Sequence, residues 1–419
     1  MTGPAEPLAG VRVVELADGW AAHCGRILAD LGADVVKVEP SSGDSARARP
    51  PFIADRPGAD RSLWWIALNA NKRGVTLDLA HPAGPRVLRR LVERADVLIE
   101  AYEPGTLEAR GLGADVLSSW NERLIHTSIT PYGSDGPLAH APASDLEVTA
   151  SSGALALAGE PGQRPLRTTL PQSPFWAGMY GAMGTLFAYL AREASGRGQR
   201  VDTSAQASMV TVTPPATVHW DVGHEEHKRL GPFLLGRSIV GARFRNIWRC
   251  RDGYVSFAIQ GGAIGRHTGK MLLEWMRTRG EPPAVVAQIE SDGFDNTTLR
   301  QDEVERVEAA IAPFFEGLTK REFFDGVVAR NMLGYPVSTV ADVEADPQLA
   351  ARDFWQEVEV PAAGRSVAFP GGFALFDGER PRIHRPAPRL GEHNDEVYVR
   401  ELAIEARDME ATRMAEAVA

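Results

Sequence analysis

The chain has 419 residues, 44% hydrophobic and 24% charged, with a formal charge of −10; this is the make-up of a globular protein of about two to three domains. The acidic balance argues against broad nucleic-acid binding, which needs a basic face for the phosphates. The two cysteines, Cys24 and Cys250, lie far apart and offer neither a disulfide framework nor a zinc cluster; with no basic-then-apolar leader and no bilayer-length apolar run, a cytoplasmic protein with no membrane partner is expected.

Gly10 to Asp44 reads as one strand-helix-strand unit. Val11, Val13, Val14 and Leu16 form a β-branched run of the kind buried parallel strands show, and Val35, Val36 and Val38 form a second. Between them Ala22, Ile27, Leu28 and Leu31 recur at helical spacing, and Gly32 supplies the stop. The first turn, Ala17 to Ala22, has no G-x-G-x-x-G, so the crossover opens at the ligand-binding edge of an α/β sheet without the dinucleotide fingerprint. A second unit follows, with a strand at Val75 to Leu79, a helix at Pro82 to Ala95 and a strand at Val97 to Glu100. Leu124 to Thr130 reads as another strand, and Phe175 to Glu193 as a long helix whose Gly178, Gly181 and Gly184 allow a close neighbour. Pro214 and Pro215 break the pattern. The expected organisation is a large α/β domain over 1–215, a linker over 216–241, a smaller α+β domain over 242–330, and a return segment over 331–419 that completes the first. A strand pair (Phe244 to Cys250, Tyr254 to Ile259) is expected around Asp252-Gly253, and an amphipathic helix over Asp395 to Val418.

Taken together, several motifs resemble the family III CoA-transferases, which include formyl-CoA transferase, carnitine CoA-transferase and α-methylacyl-CoA racemase. They are Pro7 to Val13, Leu28 to Pro40 with Gly43-Asp44, Asn69 to Arg73 with Leu77-Asp78, Gly196 to Gln199, Asp346 to Leu349 with Arg352, and Ala387 to His393. Each is weak alone; their order and spacing over nearly the whole chain are specific. The resemblance implies a Rossmann-like large domain, two subunits threaded like linked rings, and acyl-CoA as substrate with no metal. It also implies an aspartate nucleophile that attacks the thioester, giving a mixed anhydride and then an aspartyl-CoA thioester. That aspartate stands four residues before a glycine; here Pro174 precedes Gly178 by four, and proline is no nucleophile. The family's Tyr or His before Asp145 is Ser144, which speaks against a racemase. The principal expectation is the nucleophile-free subunit of a heteromeric CoA-transferase whose related partner supplies the aspartate. The alternatives are a self-sufficient, homodimeric enzyme using Asp145 and a CoA-binding scaffold without transfer activity.

CoA carries a 3'-phosphate, a diphosphate and an adenine, so its site calls for Arg or Lys and a flat apolar wall. The resemblance assigns Lys72, Arg73 and Arg110 to the coenzyme; Tyr102 is the candidate adenine wall and Arg47 a further cation. Glu103 stands where carnitine CoA-transferase has a lysine. Trp20 and Trp176 fall where the family's substrate pocket lies, and with Trp64, Trp65 and Phe175 they point to an aromatic or bulky acyl group. His224-Glu225-Glu226-His227 lacks metal-binding spacing, and Gly261 to Lys270 fails as a phosphate loop.

Overall fold

The computed structural model describes residues 6–16, 19–234, 241–259, 262–290 and 297–413. The chain divides into two compact units, one made of Met1–Leu155, Thr168–His224 and Gln348–Ala419, the other of Ala156–Arg167 and Glu225–Pro347. Two details differ from the expected division. Ala156–Arg167 belongs with the smaller unit, and the expected linker begins with a helix, Pro214–Gly223.

In the larger unit, β1 (Arg12–Leu16), β2 (Asp34–Glu39), β3 (Arg73–Thr76), β4 (Val97–Glu100), β5 (Ile125–Thr130) and β6 (Arg200–Ser204) form a six-stranded sheet in the order β3-β2-β1-β4-β5-β6. All neighbours are parallel. This is the doubly wound order whose direction reverses between β1 and β4, and such a reversal opens a crevice at the carboxyl edge. Strand alternation sorts the side chains between the two faces. Val14, Leu16, Val36, Val38, Val75 and Leu98 pack with Leu88 and Leu91 of the helix Gly84–Val92. On the opposite face Val13, Val35, Val97, Ile99, Ile125 and Ile129 pack with Cys24 and Leu28 of the helix Ala22–Asp30 and Ala177 and Ala182 of the helix Ser173–Ser195. Those two helices touch where Gly178 lies; a Cβ there would stand 2.7 Å from the His23 Cβ and 2.9 Å from the Cys24 amide nitrogen.

The C-terminal return joins this unit in a form the periodicity did not foresee. In place of one helix over 395–418, Asp395–Glu401 winds as a π-helix and Met409–Thr412 as a short 3-10 turn; residues 414–418 lie outside the described residues. The cause is tertiary. Val397, Tyr398 and Leu402 are drawn into the core beside β3, and the Tyr398 hydroxyl donates to the Thr76 carbonyl at 3.1 Å.

The smaller unit contains the expected strand pair as Ile247–Cys250 and Gly253–Ser256, joined antiparallel by Tyr335–Pro336. Its core gathers Trp248, Leu272, Leu273, Val304, Ile311, Phe315 and Phe323.

Candidate functional site

A polar layer lies buried beneath the helix Ala22–Asp30. Glu15 of β1 faces Lys37 of β2 in register and pairs with it at 3.1 Å and with Lys72 at 2.7 Å, while Lys37 also holds Asp44 at 2.7 Å. Gly25 makes the room: a Cβ there would stand 1.7 Å from a Glu15 carboxylate oxygen. Burial draws Lys72 down to about 8 against the pull of Glu15. Lys37 moves the other way, raised by Asp44 and Glu15 against its own burial.

Three of the expected coenzyme cations lie inside the fold. Lys72 is fully buried, donating also to the Ala22 carbonyl at 2.9 Å and Asn69 Oδ1 at 3.0 Å, so its ammonium donors are engaged inside the fold. Arg73 is buried against Asp34, Glu396 and Glu401 at 2.5 to 2.8 Å. Arg47 is buried between Glu39 and Asp60, each at 2.6 Å, and stacks on Trp65 with its guanidinium carbon 3.6 Å from the ring centroid. All three cations are buried and paired with carboxylates.

Tyr102 and Arg110 do come together. They line a cleft of about 240 Å³ with Val38 and Glu39 at the end of β2, Pro40 just beyond it, and Leu77 to Ala80 after β3. Arg110 is exposed and lies over the Tyr102 ring at 5.9 Å, a cation beside a flat wall at the sheet's carboxyl edge. Glu39 and Asp44 also line the cleft, but Arg47 and Lys37 offset their charge from behind. Tyr102 also lines a polar pocket of about 100 Å³, bounded by Glu100, Glu103, Glu108, His126, Ser128 and Arg200. Glu100 accepts the Tyr102 amide at 2.8 Å, and its other oxygen lies 3.7 Å from His126, whose ring nitrogens are buried without hydrogen-bond partners. The sequence reading missed this pair. Polar residues inside apolar strands (VLIE, IHTSIT) were the available signal.

The second cluster gathers at the start of the helix Ser173–Ser195. Its N-cap, Gln172, makes no side-chain cap; Asp145 supplies one from outside, accepting from the Gln172 and Ser173 amides at 2.8 and 2.9 Å and from the Ser173 hydroxyl at 2.9 Å. Negative charge is favoured there by the helix dipole. Pro174 fits the first turn because the amide it lacks has no intrahelical partner. Asp145 opens its own helix, Asp145–Ser151, behind a capping box of Ser144 and Glu147. The fallback nucleophile is thus a structural cap by one oxygen, and its second oxygen is buried without a hydrogen-bond partner.

Around this point Phe175 meets His23 edge-on at 5.1 Å and Trp64 at 6.1 Å, and Arg49 lies over the Trp64 ring at 3.8 Å. Burial, then the charges of Lys72 and Arg26, pull His23 down to about 4, leaving a neutral imidazole at pH 7. Trp20 and Trp176 are half-buried against the same core, while Trp65 is fully buried with its indole N–H on the Pro388 carbonyl at 3.0 Å. His23 and Arg49 were not singled out from sequence, since neither lies in a spaced motif. Among the described residues no group of three or more His, Cys, Asp or Glu is placed to hold a metal ion, and no helix is long and apolar enough to cross a membrane.

Comparison with known proteins agrees with this architecture. Residues 8–394 match the family model described as CoA-transferase family III. The chain is 34% identical, over 93% of its length and 92% of the relative's, to the succinyl-CoA:(R)-benzylsuccinate CoA-transferase subunit BbsE of Thauera aromatica. It is 31% identical, over 93% of each chain, to the succinyl-CoA–L-malate CoA-transferase beta subunit of Chloroflexus aurantiacus. The crystal structure of a CAIB/BAIF family protein from Brucella suis superimposes with a TM-score of 0.78 at 28% identity, over 94% of this chain and 99% of that one.

Proposed function

The chain belongs to CoA-transferase family III, and from that premise we propose that it is the subunit of a heteromeric transferase that lacks the attacking carboxylate, working with a related chain that carries it. One observation carries this reading. Position 174, on the first turn of the helix Ser173–Ser195, is proline, and the neighbouring carboxylate, Asp145, caps that helix through one oxygen while the other is buried. A nucleophile must reach a thioester carbon in near-attack geometry, and neither group offers that. Both relatives cited above are named as subunits. The helix also presents an exposed apolar stripe of Met179, Met183, Phe187 and Leu190, a face of the kind a second chain covers in the linked-ring pairing.

In this scheme the partner's aspartate attacks the acyl carbon and expels CoA thiolate. The thiolate attacks the aspartyl carbonyl of the mixed anhydride, freeing the first acid. The acceptor carboxylate then attacks the aspartyl thioester and expels CoA thiolate, which attacks the acceptor's carbonyl in the second mixed anhydride, giving the new acyl-CoA and freeing the aspartate. This chain contributes a coenzyme cleft, with Tyr102 as the adenine wall and Arg110 on a phosphate. Trp20, Trp64, Phe175 and Trp176 supply an apolar wall for an aromatic or bulky acid. The names of the relatives, with succinyl-CoA as donor and benzylsuccinate or malate as acid, favour carboxylic acids of this size.

The test is intact-protein mass spectrometry after incubation with acyl-CoAs and then hydroxylamine, on this chain alone and on the complex it co-purifies with. A hydroxamate on the partner and none here is the expected result. An adduct on this chain, mapped to Asp145, overturns the reading in favour of a self-sufficient enzyme; CoA binding with no transfer by the complex favours a scaffold.

A further inference from the structure

Two arginines leave the short turn after Asp44 and meet opposite fates. Arg47 is buried and fully engaged. Arg49 is exposed and lies over the Trp64 ring at 3.8 Å; its guanidinium makes no ion pair or hydrogen bond with the described residues, although Asp145 acts on its charge. Stacking fixes a guanidinium while leaving its N–H edge free, and that edge matches a carboxylate in bidentate fashion. A side chain already held in place loses little further freedom when a ligand arrives.

The surroundings add to this. Trp64 adjoins Phe175, which follows Pro174 at the start of the 23-residue helix Ser173–Ser195, where backbone amides carry positive partial charge. Proline at 174 brings no carboxylate of its own, and the amides of Gln172 and Ser173 are capped from outside by Asp145. The Asp145 charge is turned inward, one oxygen bonded to the helix start and the other buried. Arg49 thus stands on an aromatic wall that Trp64 shares with Phe175, the residue next to position 174.

We propose that Arg49, held on Trp64, is a specificity-determining residue that binds the second carboxylate of the acid substrate, so that this chain selects dicarboxylic acids with an aromatic or bulky apolar substituent. This rests on the CoA-transfer reading for its context, and the two can fail separately.

Calorimetric binding to the full-length chain, or to the intact complex, compares 2-benzylsuccinate with 4-phenylbutanoate, which keeps the aromatic tail and lacks one carboxylate. The wild type is expected to prefer the diacid by about tenfold or more. Arg49→Gln should weaken the diacid about 10- to 100-fold, the usual range for a charge-assisted hydrogen-bond pair, and leave the monoacid nearly unchanged. Arg49→Lys should recover only part of the loss, because an ammonium is a point charge and not a fork. Equal binding of the two acids by the wild type, no binding of either, or equal weakening of both in Arg49→Gln overturns the proposal. Transfer of CoA from succinyl-CoA by the complex is scored separately. Transfer without diacid preference refutes the Arg49 role and spares the transferase reading; Arg49-dependent diacid binding without transfer does the reverse.

Discussion

Replacing Glu15 by glutamine removes a carboxylate that two buried lysines share, Lys72 at 2.7 Å and Lys37 at 3.1 Å. Lys37 keeps Asp44 at 2.7 Å. Lys72 keeps only neutral acceptors, the Ala22 carbonyl and Asn69 Oδ1. Stranding one member of a buried ion pair costs about 3–5 kcal/mol. The lower end is expected here, because Lys72 is already drawn down to about 8 and can shed its proton. Lys72→Met should cost less, under about 2 kcal/mol, since Glu15 stays paired with Lys37 and the methionine has no charge to bury. The pH dependence follows from the same group. Its folded-state value of about 8 lies below the ordinary 10.5, so between those values the unfolded chain binds more protons and stability rises with pH. At about 1.4 kcal/mol per pH unit the rise approaches about 3 kcal/mol; the penalty is full below pH 8 and gone above the ordinary value. Urea unfolding with unchanged slope measures each variant, and the wild-type minus Lys72→Met difference across that window isolates the lysine. A Lys72→Met loss larger than that of Glu15→Gln, or a flat difference curve, refutes the reasoning.

Gly178→Val should part the helices Ala22–Asp30 and Ser173–Ser195, because its side chain would meet the Cys24 amide; overpacking of about 1–3 kcal/mol or more is expected in the urea midpoint. Asp145→Ala removes the external cap and should lower stability by about 1–2 kcal/mol, with CoA affinity measured by calorimetry unchanged. Arg110→Gln, at an exposed position in the Tyr102 cleft, should weaken CoA binding about tenfold with the urea midpoint unmoved; an unchanged affinity would place the coenzyme elsewhere. Pro174→Asp should gain a hydroxylamine-sensitive adduct with acyl-CoA on this chain, read by mass spectrometry, if position 174 is where the family's nucleophile belongs.

Local chemistry wrote much of the larger unit into the sequence. The valine runs of β1 and β2, the apolar spacing of the helix between them and the small residues of the helix Ser173–Ser195 each specify an element from neighbours within a few residues, and the alternation of strands and helices implies a parallel α/β sheet. Pro174 and Arg110 were singled out by the family resemblance and Tyr102 by residue type, but only the fold brings Tyr102 and Arg110 together. What the sequence could not disclose was which charges turn inward. Lys72, Arg73 and Arg47 read as cations for the coenzyme, yet Lys72 meets Glu15 across β1, Arg73 meets Glu396 and Glu401 from the returning C-terminus, and Arg47 donates to the Pro388 carbonyl at 3.1 Å. These partners lie far along the chain, so only folding brings them within reach. A buried cation persists only where such partners offset its desolvation, and it is this pairing that turns these three inward while Arg110 stays exposed in the Tyr102 cleft.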